Sequence, residues 1–356
     1  VELGFCEKTD EWRLQSHFFP SKVGGKPAWL RLNPLPKAED LKCPICGHPC
    51  QFLLQVYSPL NDPSCFHRTL FLFVCQEPSC CERNSARNFR VFRSQLPKDN
   101  EFYSSEPPKE DSPSWRDGPC AEKVTSVCAV CGCDGPFGCG KCKNAKYCSK
   151  DHQALHWKAG HKTKCGSGGR CVKLTTTTKV LFPQFELVTE TEDLSDDDYD
   201  DDDDDDGEEK SEAEKMKEFE EVKASTKDSP NYDEKTLQKM AASQQSEDQP
   251  FEAFKKRIQI DPQQVLRYKR GDTPLWVAKE AVPLEGDIPP CKCGSARQFE
   301  FQARKTVLPQ MLNHLKVDRL DSSLDWGTLV VYTCSESCDI EGYAEEYVFK
   351  QDFSAT

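Results

Sequence analysis

Residues 128–165 read CAVCGCDGPFGCGKCKNAKYCSKDHQALHWKAGHKTKC. Eight of the cysteines and histidines in this segment form four short pairs, two of them C-x2-C, one C-x3-H and one H-x3-C. Two thiolates on a tight turn face one ion, and a three-residue spacing puts two ligands on one face of a helical turn. A segment with so few large apolar residues needs a metal to supply its folding energy. The pattern predicts two tetrahedral zinc sites built from Cys128, Cys131, Cys139, Cys142, Cys148, His152, His161 and Cys165.

The second part of this segment, from Tyr147 through Trp157 onward, resembles a MYND zinc finger, a small treble-type module. Most such fingers have cysteine where this chain has His152, and zinc accepts either residue; His156 is a less well spaced alternative. The resemblance implies that such a finger binds short proline-containing peptides and does no chemistry, because no coordination position stays open. It also implies interleaved ligand sets, with Cys128, Cys131, Cys148 and His152 on one ion and Cys139, Cys142, His161 and Cys165 on the other.

Two distant segments repeat one order of features on either side of the finger. The first, within residues 24–80, runs GGKPAWL, CPICG, FLLQVY and TLFLFVCQEPSC. The second, within residues 270–338, runs RGDTPLWV, CKCG, FEFQ and TLVVYTCSESC. The tryptophan precedes the first cysteine by 14 residues in one copy and by 15 in the other. This agreement predicts an internal duplication of a β-rich unit.

Each copy carries a further set of four cysteines that could bind one zinc ion and so hold two strands together. The chain has 21 cysteines, an odd number, and their short spacings indicate metal rather than disulfides. In the first copy Cys81 competes with Cys80, and in the second the C-x-C pair is tighter than a usual zinc knuckle. The alternative is reduced cysteines that pack as small apolar side chains. The two sets are Cys43, Cys46, Cys75 and Cys80, and Cys291, Cys293, Cys334 and Cys338. The thiols outside every set, Cys6, Cys50, Cys65, Cys81, Cys120, Cys133 and Cys171, are expected to be ordinary packed side chains.

These features predict an α+β, β-rich fold: a pseudo-symmetric duplicated domain with an inserted small treble-type zinc finger and a disordered acidic loop. The N-terminal half, residues 1–110, is expected to pair with a C-terminal half at 249–356, with the finger at 126–165 on their surface. An additional strand of the body is expected within 175–190, followed by an acidic linker at 191–248 that includes a stretch of helical composition.

A helix is expected after this linker. Phe251, Phe254 and Ile258 recur at helical spacing, and this stripe is predicted to be core rather than a partner site. Asp261 followed by Pro262 favours the start of a further short helix.

The net charge of -13 is distributed unevenly along the chain. Residues 190–221 hold 20 acidic residues and 3 lysines, a local charge of -17, which leaves about +4 for everything else. Such a block stays extended and attracts basic partners over roughly a Debye length. The alternative is a linker that only keeps the chain soluble. The predicted partner-binding residues are Asp196, Asp197, Asp198, Asp200, Asp201, Asp202, Asp203, Asp204, Asp205 and Asp206.

Several functional classes are disfavoured by the sequence. No apolar run approaches the ~20 residues of a membrane helix, and the first residues show no secretory pattern, so we expect a soluble intracellular protein. The sequence has no phosphate-binding loop, no G-x-S-x-G elbow and no H-E-x2-H, so we expect no catalysis. A charge of only about +4 outside the acidic block makes nucleic acid a weak candidate partner.

The duplicated frame and the inserted finger together resemble the programmed cell death protein 2 family over nearly the whole chain. The matching residues include HFFPSKVGGKPAWL near the start and FEAFKKRIQIDPQQVLRY, LDWGTLVVYTCSESC and EEYVFKQD near the end. The resemblance implies a dedicated chaperone in small ribosomal subunit production. Such a protein captures a basic ribosomal protein of the universal S-five family and keeps it soluble until assembly, in the cytoplasm and the nucleus. The alternative is an adaptor in transcription or apoptosis that acts through the finger.

Overall fold

The structure, a computed structural model, describes residues 1–108, 115–166, 180–193, 249–304, 326–339 and 341–353. The aspartates predicted to bind a partner, most of the predicted linker at 191–248 and Cys171 lie outside these residues. The described part is β-rich with few helices, as the sequence predicted.

Thirteen strands form two sheets in the part of the chain that the structure describes. Their sequences are rich in β-branched and aromatic residues, which pack well on a pleated surface. The strands are β1 (Glu2–Glu7), β2 (Lys22–Val23), β3 (Gln51–Tyr57), β4 (His67–Val74), β5 (Phe89–Leu96), β6 (Phe137–Gly138), β7 (Lys146–Tyr147), β8 (Phe185–Thr191), β9 (Leu266–Tyr268), β10 (Arg297–Arg304), β11 (Thr328–Cys334), β12 (Tyr343–Glu345) and β13 (Tyr347–Gln351). The α-helices of the described residues are α1 (Ala121–Val124), α2 (Lys150–His156), α3 (Lys162–Lys164) and α4 (Gln249–Ile260), and short 3-10 or π-helical turns occur between the elements.

Eleven strands form one antiparallel sheet, in the order β12-β5-β4-β3-β2-β8-β1-β9-β10-β11-β13. The strands at the two ends of this order, β12 and β13, are neighbours in the chain. β12 pairs with β5 and β13 pairs with β11, and only Glu346 separates them. The Glu346 N–H donates to the carbonyl of Val91 in β5. One chain segment therefore bonds to both outer strands, and the sheet is nearly closed.

The interior of this sheet is apolar at one end. Alternate residues of β4 and β11, such as Leu70, Leu72, Leu329 and Val331, meet there in one buried cluster together with Trp326. Successive side chains of a strand point to opposite faces, so one set of alternate residues fills the interior and the other set faces outward. The core of the body is therefore shared by the N-terminal and C-terminal strands.

The finger packs on the outer face of the N-terminal half. Phe71 and Phe73, which face outward from β4, share one buried cluster with Trp29 and with the finger residue Tyr147. The indole Nε1–H of Trp29 donates to the carbonyl of Gly132 in the finger at 2.8 Å. The finger thus draws on the packing of the body for its core, in addition to its own ligand sets.

One local arrangement occurs in both halves. The Ala28 N–H donates to Gln55 Oε1 at 2.9 Å, and Gln55 Nε2 donates back to the Ala28 carbonyl at 3.2 Å. In the C-terminal half, the Leu275 N–H and the amide of Gln302 make the same reciprocal pair, at 2.7 and 3.0 Å. Ala28 and Leu275 each precede the tryptophan of the repeated frame. The pseudo-symmetric duplication stays a prediction, with which this shared detail agrees.

The segment before α4 and the helix itself extend the body. β8 lies in the segment where an additional strand was expected, and Glu192, just after it, is buried in an ion pair with Arg267 at 2.8 Å. The body therefore continues past the predicted boundary at 190. In α4, Phe254 and Ile258 pack against Val277 as core.

Two further observations concern helices. The prediction of a short helix that begins at Asp261 is wrong. A turn follows α4 instead, closed by a hydrogen bond from the Gln264 N–H to the Asp261 carbonyl, and the chain then enters β9. Among the described residues, no helix is long and apolar enough to cross a membrane.

Candidate metal centres and a buried charge network

The fold brings each of the four predicted ligand sets together. Within each set, the ligand atoms of the four residues all lie within 4.8 Å of one another. Two sets lie in the finger and one in each half of the body. They are Cys128, Cys131, Cys148 and His152; Cys139, Cys142, His161 and Cys165; Cys43, Cys46, Cys75 and Cys80; and Cys291, Cys293, Cys334 and Cys338.

The first cysteine pair of every set lies on a hydrogen-bonded turn, which is one residue shorter in the C-terminal set than in the other three. The carbonyl of the first cysteine accepts the N–H of the residue just after the second cysteine, at 2.8 to 2.9 Å. That residue has a positive φ, which glycine adopts without steric cost, and three of the four turns have glycine there. The four residues are Gly47, Gly132, Lys143 and Gly294.

The first finger set is almost completely buried. Ser149 caps α2 by accepting the N–H of His152, which places the imidazole one turn beyond Cys148. Nδ1 of His152 lies 3.0 Å from the Cys148 sulfur. The alternative ligand His156 lies outside the set, and its Nδ1 is 3.0 Å from the hydroxyl of Tyr147.

The second finger set lies nearer the surface. The sulfurs of Cys139 and Cys165 are 3.8 Å apart, and Cys142 Sγ lies 3.6 Å from His161 Nε2. The N–H of Cys142 lowers the pKa of the Cys139 thiol to about 6. This thiol therefore exists largely as the thiolate, the form that binds metal.

The N-terminal set settles the choice between two adjacent cysteines. A short 3-10 helix at Pro78–Cys80 places Cys80 in the set, whose Cys46 and Cys75 sulfurs are 3.6 Å apart. The thiol of Cys81 instead lies 3.6 Å from the carbonyl of Glu77. Cys80 is therefore the candidate ligand.

The C-terminal set accommodates the tight C-x-C pair. The Cys291 and Cys338 sulfurs are 3.7 Å apart, and those of Cys293 and Cys334 are 3.6 Å apart. Hydrogen bonds from the side chain and backbone of Ser295 lower the pKa of the Cys293 thiol to about 6. The two strands β10 and β11 are joined at this set.

These separations fit tetrahedral zinc. A zinc–sulfur bond of about 2.3 Å implies ligand atoms about 3.8 Å apart at the corners of a tetrahedron. A disulfide would instead need sulfurs about 2.05 Å apart. Sulfur and imidazole nitrogen are also the donors that zinc prefers. The donor chemistry and the spacing of all four sets therefore suit this metal.

The thiols outside the sets have other surroundings. Burial raises the pKa of Cys6 and of Cys50 to about 12, so both stay protonated and pack as apolar side chains. Cys133 is buried in the finger beside the carbonyl of Cys131, at 3.9 Å.

A buried charge network was not foreseen from the sequence. Arg68 and Glu300 form a bidentate ion pair, and Arg93 pairs with Glu346 at 2.6 Å; all four side chains are fully buried. Burial raises the pKa of Glu300, but the Arg68 guanidinium outweighs this effect and holds it below its ordinary value. The only signal in the sequence is a charged residue close to large apolar residues of the same strand, as in HRTLFLFV and QFEFQ.

The body is a nearly closed β-rich sheet that carries an inserted finger, and the two together hold four Cys-rich ligand sets. These features define the class of protein as a β-rich protein that bears a zinc finger. Models of the programmed cell death protein 2 N-terminal domain, its C-terminal putative domain and the MYND finger match residues 1–110, 248–352 and 128–165. The chain belongs to the programmed cell death protein 2 family.

Relatives match along nearly the whole chain. Programmed cell death protein 2 of Mus musculus is 47% identical over 100% of this chain and 97% of its own length. Programmed cell death protein 2-like of Mus musculus is 28% identical over 89% of this chain and 85% of its own. Probable 20S rRNA accumulation protein 4 of Schizosaccharomyces pombe is 26% identical over 97% of this chain and 96% of its own. No solved structure matches this chain significantly.

Proposed function

We propose that this protein acts in ribosome biogenesis as a dedicated chaperone of a basic small-subunit ribosomal protein of the universal S-five family. The observation that carries the proposal is the full-length similarity to a relative named for 20S rRNA accumulation. In this proposal the chain binds its client as it is made and releases it at assembly, in the cytoplasm and the nucleus.

The charge distribution supports this role. Ribosomal proteins carry basic extended tails that aggregate or bind stray RNA before assembly. The aspartates within 196–206 put a strong negative charge on the chain, and outside the wider acidic block at 190–221 the chain is slightly basic. A polyanion of this kind attracts such tails over a Debye length and shields them reversibly.

The metal centres in this proposal are structural. We propose one zinc ion in each of the four sets, because each offers four protein ligands and so fills a tetrahedral zinc without an open position. A closed zinc site holds strands and turns in place but does not activate water or substrate. This supports the proposal that the protein is not an enzyme.

The rigid body supports selective binding. Four metal centres and the ion pairs across the interior would hold a nearly closed sheet in one conformation, and a preordered surface loses less entropy on binding. We also propose that the two halves arose from one duplicated unit, which the reciprocal amide pairs of Gln55 and Gln302 support.

The test is capture of the client by the purified full-length protein. The variant replaces the aspartates of 196–206 with asparagine, keeping the length; a second variant deletes these residues. We expect both variants to bind the S-five protein more weakly. In the unmodified protein, raising the salt concentration should slow association by roughly tenfold or more. Binding that is indifferent to both salt and the aspartates would remove the electrostatic part of the proposal, and failure to capture the client at all would remove the chaperone role.

A second candidate, an adaptor acting through the finger, is favoured by one exposed side chain. Phe137, on β6 of the finger, is 53% exposed and is the one exposed aromatic side chain among the described residues of the finger. A proline-containing peptide would use such a side chain. Phe137→Asp should abolish peptide binding and leave client capture intact if the body holds the client; peptide binding that persists in this variant would remove the support of Phe137 for the adaptor.

A further inference from the structure

Four arginines converge on the two buried glutamates at the polar end of the interior. Arg68 and Arg270 contact Glu300, at 2.7 and 3.2 Å, and Arg93 and Arg297 contact Glu346, at 2.6 and 2.9 Å. Both carboxylates are completely buried, as are Arg68 and Arg93. Arg297 is 8% exposed and Arg270 is 20% exposed. The arginines therefore carry two more positive charges than the glutamates balance.

Two of these arginines, Arg93 and Arg270, reach the C-terminal ligand set. Arg93 Nη2 lies 3.4 Å from the Cys338 sulfur, and its Nη1 donates to the Cys338 carbonyl at 3.1 Å. Arg270 Nη2 donates to the carbonyls of Cys334 and Ser335, at 3.0 and 2.8 Å. The positive charge is thus directed at the turn that carries two of the four thiols.

The unbalanced charge comes from the N-terminal half. Arg68 lies on β4 and Arg93 on β5, whereas Arg270, Arg297 and both glutamates belong to the C-terminal half and balance one another. Buried charge without a counter-charge is strongly destabilising, so this group of four arginines and two glutamates needs two further negative charges. A divalent zinc ion bound by four thiolates carries a net charge of -2.

We propose that zinc at Cys291, Cys293, Cys334 and Cys338 completes the charge balance of the interior and so couples metal binding to the pairing of the two halves. Arg93 is the positioning residue in this coupling. It is held in place by Glu346 and donates to the Cys338 thiolate, which fixes this ligand and stabilises the charge of the metal centre. The C-terminal metal centre therefore secures β5, a strand of the other half, as well as its own loops.

The first experiment measures zinc release from the full-length, zinc-loaded protein to a chromophoric chelator. Arg93→Met should release one zinc ion per chain about tenfold faster than the unmodified protein, the scale typical of groups that orient a metal ligand. Arg93→Lys, which keeps the charge, should lie in between. The matched control is Arg90→Met, which removes a partly exposed arginine of the same strand paired with Glu345. Release from Arg93→Met at the unmodified rate would overturn the positioning role.

The second experiment compares metal loss in the two halves. Cys293→Ser removes an exposed ligand of the C-terminal set, and Cys46→Ser removes a half-buried ligand of the N-terminal set. Each should cost one zinc ion by native mass spectrometry. The backbone amides of β5 and β12 should lose protection from hydrogen exchange in Cys293→Ser. They should lose much less protection in Cys46→Ser. Equal protection in both variants would overturn the coupling.

A third variant keeps the proposal testable if Cys293→Ser proves too unstable to purify. Adding Arg93→Met to Cys293→Ser removes a charge that the lost metal centre no longer balances. The double variant should therefore be no less stable than Cys293→Ser alone, and it should recover part of the lost soluble yield. Strictly additive destabilisation would contradict a shared charge balance.

Discussion

Arg68 and Glu300 form a fully buried, bidentate ion pair that joins β4 of the N-terminal half to β10 of the C-terminal half, with N–O distances of 2.7 and 2.9 Å. The hydroxyls of Tyr268 and Thr333 donate to the same carboxylate, at 2.9 and 2.6 Å. A buried charge is tolerated when it is paired and its remaining hydrogen-bonding capacity is used. The pair therefore fixes how the two halves face each other across the interior.

Removing the cation of this pair should be costly. Arg68→Met leaves the Glu300 carboxylate facing a smaller positive charge, and we expect the free energy of unfolding to fall by about 3–5 kcal/mol. Urea denaturation followed by tryptophan fluorescence measures it. The control Lys255→Met removes an exposed partner of Glu252 and should cost at most about 1 kcal/mol. Adding Glu300→Gln to Arg68→Met should restore part of the loss, and an equal or larger loss would argue against the pair as the cause.

Lys22 should give the protein a stability that rises with pH. Its Nζ is buried against the Lys26 carbonyl and Gln184 Oε1, at 2.9 and 2.8 Å, and burial lowers the pKa of Lys22 from its ordinary 10.5 to about 7. Between these values the unfolded chain binds more protons at this position than the folded chain, so the free energy of unfolding increases with pH. From pH 7 to 9 the unmodified protein should gain stability relative to Lys22→Met.

Urea denaturation midpoints at several pH values measure the difference in stability between the unmodified protein and Lys22→Met. The titration of the thiols cancels in this difference, because both proteins contain the same thiols. Lys255→Met, at an exposed site, should follow the pH profile of the unmodified protein. Parallel profiles for Lys22→Met and the unmodified protein would contradict the lowered pKa.

Native mass spectrometry of the full-length protein should find four zinc ions per chain. Cys80→Ser removes a ligand of the N-terminal set and should reduce the number to three. Cys81→Ser is the matched control, since its sulfur lies outside the set, and four ions should remain. Two ions in the unmodified protein would restrict metal binding to the finger.

Trp29→Phe should loosen the finger on the body. The substitution keeps an aromatic ring against Phe71 but leaves the Gly132 carbonyl without the indole N–H, a change that costs about 1–3 kcal/mol for a buried group. Hydrogen exchange in residues 126–148 should become faster while the zinc content stays the same. Trp12→Phe, at a half-buried position where the ring packs against Phe18, is the control and should leave exchange in the finger unchanged.

The ligand pairs were readable from the sequence because their spacing is local, whereas the interleaving of the pairs in the finger was implied by the family resemblance. A pair such as Cys128 and Cys131 is positioned by a single turn, and the residue after it, Gly132, has the positive φ that this turn requires. The choice between Cys80 and Cys81 was not readable, because adjacent thiols have the same spacing within the uncertainty of a loop. The short 3-10 helix at Pro78–Cys80 decides it.

The sequence by itself determined the β-rich class, the finger, the sixteen candidate ligands and the separation of charge between an acidic block and a nearly neutral body. These properties rest on residue type and on contacts between residues close in the chain. Only the tertiary structure decided that β12 and β13 nearly close the sheet, that the finger shares a core with the body and that Lys22, Arg68 and Arg93 are buried. From the sequence alone, a charged residue in a strand is expected to be exposed to solvent. Arg68 can be buried because the fold brings Glu300, a residue far along the chain, within hydrogen-bond distance.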